Sequence, residues 1–248
     1  MDRRQRLRGD GVGEDQRRLR FALAVLAFLL LTAAIPLAER RSGYEFMGRE
    51  TRAMQDDDTT NPALLWVLDG EALFKTNCSG CHADLKGVAA RYPKAGVSLE
   101  QKINHALKKP FPYESRELLA LTAYVGRQSR GMPIEVEWNE ANRPFLERGR
   151  ATFNRRQGQL NLACAQCHDD NWGKQLSGSV IPQAHPTGYP IYRLEWQGMG
   201  SVQRRFRNCL IGVRAEPYAY GAPEYVELEM FLMWRARGMK LETPAVRP

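Results

Sequence analysis

Histidine is scarce in this 248-residue chain, with four in all, and there are only five cysteines. No stretch alternates apolar and polar residues strongly enough to define a strand, so the pattern speaks against an all-β fold and reads as mainly α. Five cysteines cannot all pair, and four of them sit in two short motifs, so a disulfide framework is a poor fit as well. Charge of one sign is not in large excess either. Residues 1–20 hold seven arginines against four acids, which leaves +5 of the formal +8 on residues 39–248. That balance gives nucleic-acid binding little support.

What is present is concentrated chemistry. Four cysteines form Cys78-Ser79-Gly80-Cys81-His82 and Cys164-Ala165-Gln166-Cys167-His168. Two thiols three residues apart reach the two vinyl groups of one porphyrin, and the histidine that follows lies under the iron as the proximal ligand. A single zinc centre built from the four cysteines is the rival, but zinc has no use for His82 and His168 in the same relative place. The reading is therefore two covalently bound haem c groups, whose four propionates bring the net charge close to balance. A charge-free run from Phe21 to Ala38 follows the arginine-rich start. Covalent haem attachment is completed outside the cytoplasm, and this segment is the export signal it needs. Residues 1–38 read as a signal peptide in which Thr32-Ala33-Ala34 offers a small-residue cleavage site, or residues 21–38 stay as an inner-membrane anchor; both place the rest of the chain in the periplasm.

The body reads as a duplication. Gly70 to Phe74 precedes the first motif and Gly149 to Phe153 the second. Arg130-Gly131-Met132 and Arg237-Gly238-Met239 end two helix-periodic stretches, which begin near Leu118 and Tyr225. The offsets grow from 79 at the leading glycines to 86 at the motif cysteines and 107 at the closing arginines. Each unit is thus a helix, a haem motif, an irregular middle and a closing helix capped by glycine, the plan of a small cytochrome c domain. The first spans 39–135, with 40–62 as an extended lead-in wrapping the surface; the second spans 136–248. The boundary falls near residues 133–142.

The sixth iron ligands decide the chemistry. Cys209 is the odd cysteine, set in Arg204-Arg205-Phe206-Arg207-Asn208-Cys209 and followed by Arg214. Clustered guanidinium groups favour a thiolate and hold a sulfur oxyanion. The repeat offsets place His105 opposite Cys209, so the first haem reads as His82–His105 and the second as His168–Cys209. Met132 and Met239 read as packing, and Met199 is a weaker rival for the second haem. His185 either rests against a propionate or is structural. A thiolate ligand lowers the reduction potential, which suits sulfur chemistry better than plain electron carriage.

Arg193 to Gly198, Arg204 to Cys209 and Gly212-Val213-Arg214-Ala215-Glu216-Pro217 together resemble the SoxA family, the dihaem subunit of SoxAX cytochromes in periplasmic sulfur oxidation. Arg41 to Tyr44, Pro112 to Ser115 and Gln128 to Pro133 match it too. The resemblance implies an L-cysteine S-thiosulfotransferase. Such an enzyme joins thiosulfate oxidatively to a cysteine of a SoxYZ-like carrier, with a monohaem SoxX-like partner. It also implies that Cys209 is a haem ligand often found as a persulfide, and that Arg205 lines the substrate approach; Arg204, Arg207 and Arg214 are further candidates. Relatives supply a cysteine near residue 106, where this chain has Ala106, so His105 or an open site takes that place. The alternatives are a thiosulfate dehydrogenase making tetrathionate and a plain dihaem electron carrier.

Overall fold

Serine caps and early prolines start most of the helices. In the computed structural model, which describes residues 39–78 and 84–248, these are α1 (Arg49–Asp56), α2 (Ala63–Asn77), α3 (Leu99–Ala106), α4 (Arg116–Arg127), α5 (Arg143–Asn154), α6 (Cys164–His168), α7 (Val202–Gly212) and α8 (Pro223–Arg235). Ser98, Ser115 and Ser201 each accept a hydrogen bond from a backbone N–H in the first turn of the helix they precede. Proline sits in the first turn of α5 and α8, where its missing N–H costs nothing. The leader and the stretch holding Cys81 and His82 lie outside the described residues.

Two helix crossings carry the duplication. α2 packs on α4, and α5 on α8. At each crossing a glycine admits the partner backbone. A Cβ at Gly70 would stand 2.0 Å from the Ala120 carbonyl oxygen, and one at Gly149 would stand 2.0 Å from that of Glu227. The same glycines lie against Tyr124 and Phe231. The glycines that precede the two haem motifs are thus contact points, chosen because no side chain fits there.

The Arg-Gly-Met segments behave differently from expectation. α4 ends at Arg127 and α8 at Arg235, so Gly131 and Gly238 stand beyond the helices and cap neither of them directly. Both have positive φ, +80° and +79°. Each turns the chain into pairing with the other segment. Gly131 N–H donates to Leu241 at 2.8 Å and Gly238 N–H to Ile134 at 2.9 Å. In return, Leu241 N–H donates to Met132 and Ile134 N–H to Met239, both at 2.9 Å. The four bonds are reciprocal between the two segments. The segment around residues 133–142 is accordingly a seam: Ile134 and Val136 are buried with Leu99 and Val125 from the preceding segment and Leu146 and Met230 from the following one.

The lead-in is helical where an extended segment is expected. Ser42 caps a short 3₁₀ turn at Gly43–Phe46, and α1 follows. α1 is pinned because buried Gln55 accepts from the Val246 N–H at 3.1 Å and from the Arg247 guanidinium. Arg247 lies in β5 (Ala245–Arg247), which pairs in parallel with β3 (Ile191–Arg193); β3 pairs antiparallel with β4 (Gly198–Gly200). A two-residue hairpin, β1 (Gln175–Leu176) and β2 (Ser179–Val180), completes the sheet content among the described residues. These strands are two or three residues long, below the length at which alternation is visible in sequence.

The Gly149→Ala variant should lose about 1–3 kcal/mol of stability or more by overpacking the α5–α8 crossing. Chemical denaturation of the holoprotein checks this, and an unchanged midpoint would reject the contact.

Candidate functional site

Helix α7 carries the reactive group. Val202, Phe206 and Leu210 are buried on its inner side. Arg205 and Cys209, four residues apart, share one face. Opposite stands α6, one turn long, with Cys164, Cys167 and His168. Cys164 and Ala165 pack against the apolar cluster of Phe153, Phe206, Tyr225 and Phe231. The His168 ring is oriented from behind: Nδ1–H donates to the Pro182 carbonyl at 2.6 Å. That fixes the tautomer and leaves the other ring nitrogen turned towards α7 as the one able to accept a bond. The imidazole faces the Cys209 thiol, within hydrogen-bonding reach.

Electrostatics single out Cys209 among the described thiols. Burial pushes it up, but the His168 hydrogen bond and the charges of Arg205, His168 and Arg193 outweigh this and bring it below the ordinary thiol value. Burial pushes Cys164 up to about 11 and raises Cys167 as well. Burial lowers Arg205, yet Cys209, Tyr189 and Glu195 more than compensate and keep it firmly charged. Arg193 is lowered, by burial first and then by Arg205, while it makes a 3.2 Å ion pair with Glu195 and lies over the Trp196 ring.

Arg193 and Tyr189 are the site residues that sequence reasoning gave no role. Arg193 stands inside a family-like motif, but nothing in its spacing from Cys209 says that β3 brings it to α7. Tyr189, half-buried, is pushed up by burial and faces Arg205 and Cys209. The other candidate arginines have different partners. Arg204 lies over Trp196 at 4.3 Å and is 4.0 Å from Glu114. Arg207 donates to the Tyr218 carbonyl and lies over Tyr220 at 4.8 Å. Arg214 is an exposed turn residue with φ +57°. Met199 packs with Ala63, Val67, Leu119 and Ala123 of the α2–α4 pair, which removes it as a rival to Cys209. His185 donates from Nδ1 to the Arg41 carbonyl at 2.7 Å, which is a loop tie.

Of the first motif, Cys78 is described: it is buried and ends α2. His105 is exposed in the last turn of α3. The capping serines Ser98 and Ser201 give a closer alignment than the repeat offsets do. Cys209 stands eight residues after Ser201 and Ala106 eight after Ser98, so His105 is one residue, about 100° of helix, away from the matching position.

Two half-buried thiols on α6, an imidazole oriented from behind and a thiol opposite fit a covalent haem c between α6 and α7. They do not fit a bare ion: among the described residues no group of three or more His, Cys, Asp or Glu side chains could hold one. The fold and site define a mainly helical, cytochrome c-like protein with covalent haem, in which histidine and cysteine confront each other. Residues 69–134 match the family model for the SoxA/TsdA cytochrome c domain. The L-cysteine S-thiosulfotransferase subunit SoxA of Pseudaminobacter salicylatoxidans is 34% identical over 86% of this chain and 82% of its own. The SoxA subunit of Rhodovulum sulfidophilum is 32% identical over 84% and 80%. The crystal structure of SoxXA from P. pantotrophus superposes with a TM-score of 0.81 at 28% identity, over 84% of this chain and 87% of that one. The chain belongs to the SoxA family.

Arg235 ties α8 to the residue after the proximal histidine. It bonds both Asp169 carboxylate oxygens at 2.6 and 3.2 Å and lies over Phe153 at 4.6 Å. Arg235→Ala should cost about 1 kcal/mol, the partly exposed ion pair contributing the smaller share. Arg235→Lys should recover only part, since an ammonium cannot make the paired bonds; denaturation midpoints compare the two.

Proposed function

We propose that this chain is the catalytic haem subunit of an L-cysteine S-thiosulfotransferase. It would join thiosulfate to the cysteine of a SoxYZ-like carrier and pass electrons to a SoxX-like monohaem partner. The observation that carries the reading is the convergence of Arg205, Arg193 and His168 on a single depressed thiol, Cys209. Carrier thiol and thiosulfate give the cysteine S-thiosulfonate, one proton and two electrons. A haem c bound here would take those electrons one at a time and hand each to the partner cytochrome. The protein's own share is to bind and orient. Arg205 and Arg193 hold the sulfonate end of thiosulfate, whose charge they match. Cys209 meets its outer sulfur, and the Phe206 and Tyr225 cluster keeps the inner side of α7 dry.

The finer organisation belongs to the same proposal. Two cytochrome c-like units, 39–135 and 136–248, each hold one haem, the first through Cys78, Cys81 and His82 with His105 as sixth ligand. The exposure of His105 and its one-residue displacement from the Cys209 position make that ligand the most specific point to check. Residues 1–38 direct export to the periplasm, where SoxA cytochromes typically work. No helix among the described residues is long and apolar enough to cross a membrane.

Thiosulfate oxidation should require the carrier, and Cys209→Ala should abolish it; undiminished activity without carrier would favour tetrathionate formation instead. Arg205→Ala should lower the rate at least about tenfold by losing one charge-assisted contact to the anion. Electron paramagnetic resonance of the ferric protein should show one low-spin thiolate-ligated haem, lost in Cys209→Ala, and one bis-histidine haem, altered in His105→Ala. Two identical bis-histidine signals in the unmodified chain would sink the assignment.

A further inference from the structure

At the seam between the halves, away from the thiol, two carboxyl groups are buried beside one cavity. Glu100 stands in the first turn of α3 at 5% exposure, and Glu229 stands mid-way along α8 at 8%. Both line a cavity of about 30 Å³, shared with Tyr92, Thr122, Tyr189 and Met233. That volume admits one water. The Oε2 atom of each glutamate has no hydrogen-bond partner. No lysine or arginine lines the cavity among the described residues.

Every element packed there fails to supply a neutralising charge. α3 offers Glu100 only its own backbone N–H and the Ser98 hydroxyl. The segment after α3 brings Tyr113, whose hydroxyl has no direct partner, and Glu114, which faces Arg204. α8 has a second buried acid, Glu227, but Arg148 pairs with it at 2.8 Å. The cavity wall adds the phenols Tyr92 and Tyr189. α7 brings Gln203, fully buried: its Oε1 accepts the Gly221 N–H at 2.8 Å, while Nε2 is directed at the Glu229 carboxyl. A buried amide donor aimed at a carboxyl, with a water-sized space beside it, is a site prepared for an exchangeable proton. Two carboxylates here would both lose hydration and repel each other, and one bound proton relieves both costs. Burial raises Glu100 and lifts Glu229 well above the usual carboxylate range, with the Glu100 charge adding to the latter.

We propose that Glu100 and Glu229 form a proton-binding site that holds one proton between them and exchanges it with solvent as the haem beside Cys209 gains or loses an electron. The inference rests on haem binding at His168 and Cys209. Gln203 precedes Cys209 by six residues on α7, about 9 Å along the helix axis, so charge at the pair is felt at the thiol end. On reduction, one electron from the sulfur substrate arrives and one proton from solvent joins a carboxylate; oxidation reverses both, and net charge is conserved.

Two measurements on the holoprotein test this. Infrared spectra of the reduced wild type at neutral pH should contain a protonated-carboxyl C=O band that shifts in D₂O, weakens on oxidation and is lost in both Glu100→Gln and Glu229→Gln. Spectroelectrochemical titration should show the potential of the thiolate-ligated haem falling as pH rises between about 5 and 8. The slope should vanish in either variant and persist in Glu114→Gln. A carboxyl band unchanged in both variants, or a slope that survives in both, would overturn the proposal. If the variants do not fold, a flat wild-type potential rejects it and a sloping one with a D₂O-sensitive carboxyl band sustains it. Haem content read from the absorbance spectrum separates the premises: a chain without haem c fails the functional reading, and the infrared band still decides the proton site.

Discussion

An imidazole on a helix one turn long must meet a thiol that follows it 41 residues later in the chain. Everything around the site serves that meeting. α6 is too short to hold itself, so Pro182 fixes the His168 ring and Arg235 grips Asp169 just after it. α7 is held by its Ser201 cap and by three apolar residues on its inner side. The aromatic cluster between them, Phe153, Phe206, Tyr225 and Phe231, is shared with the α5–α8 pair. That pair approaches closely because Gly149 has no side chain.

Charge around Cys209 is arranged against burial. A buried thiol ordinarily stays protonated, and Cys164 shows this with its value near 11. Cys209 is pulled the other way because two arginines from different elements, Arg205 on α7 and Arg193 on β3, face it along with His168. The arginines repel each other, and Glu195 and the thiol offset part of that cost. An anionic substrate would add to the compensation, which couples substrate charge to the geometry of the site.

Much of this was legible in the sequence. The haem motifs, the odd cysteine among arginines and the growing repeat offsets all depend on local spacing. The offsets 79 and 107 reappear as physical contacts, in the glycines at the two helix crossings and in the paired turns at Gly131 and Gly238. Spacing alone makes the glycine turns look like helix caps because a positive-φ glycine serves equally well to cap a helix or to turn into a pairing. The lead-in looks extended in sequence because α1 has few apolar residues of its own and is held by Gln55 against residues 246–247.

Covalent haem chemistry and a mainly helical plan are written in residues a few positions apart, and the same local spacing picks out the odd cysteine among arginines that is proposed as the reactive thiol. Tertiary structure decided which arginines serve that thiol. It sends Arg204 to Trp196 and Arg207 to the Tyr218 carbonyl, leaves Arg214 exposed, and brings in Arg193 from β3. It also decided that Glu100 and Glu229 share a cavity, and that Ala106 rather than His105 matches Cys209. The physical reason is common to all of these: direction around a helix and proximity across a seam depend on packing between distant segments, which local spacing does not encode.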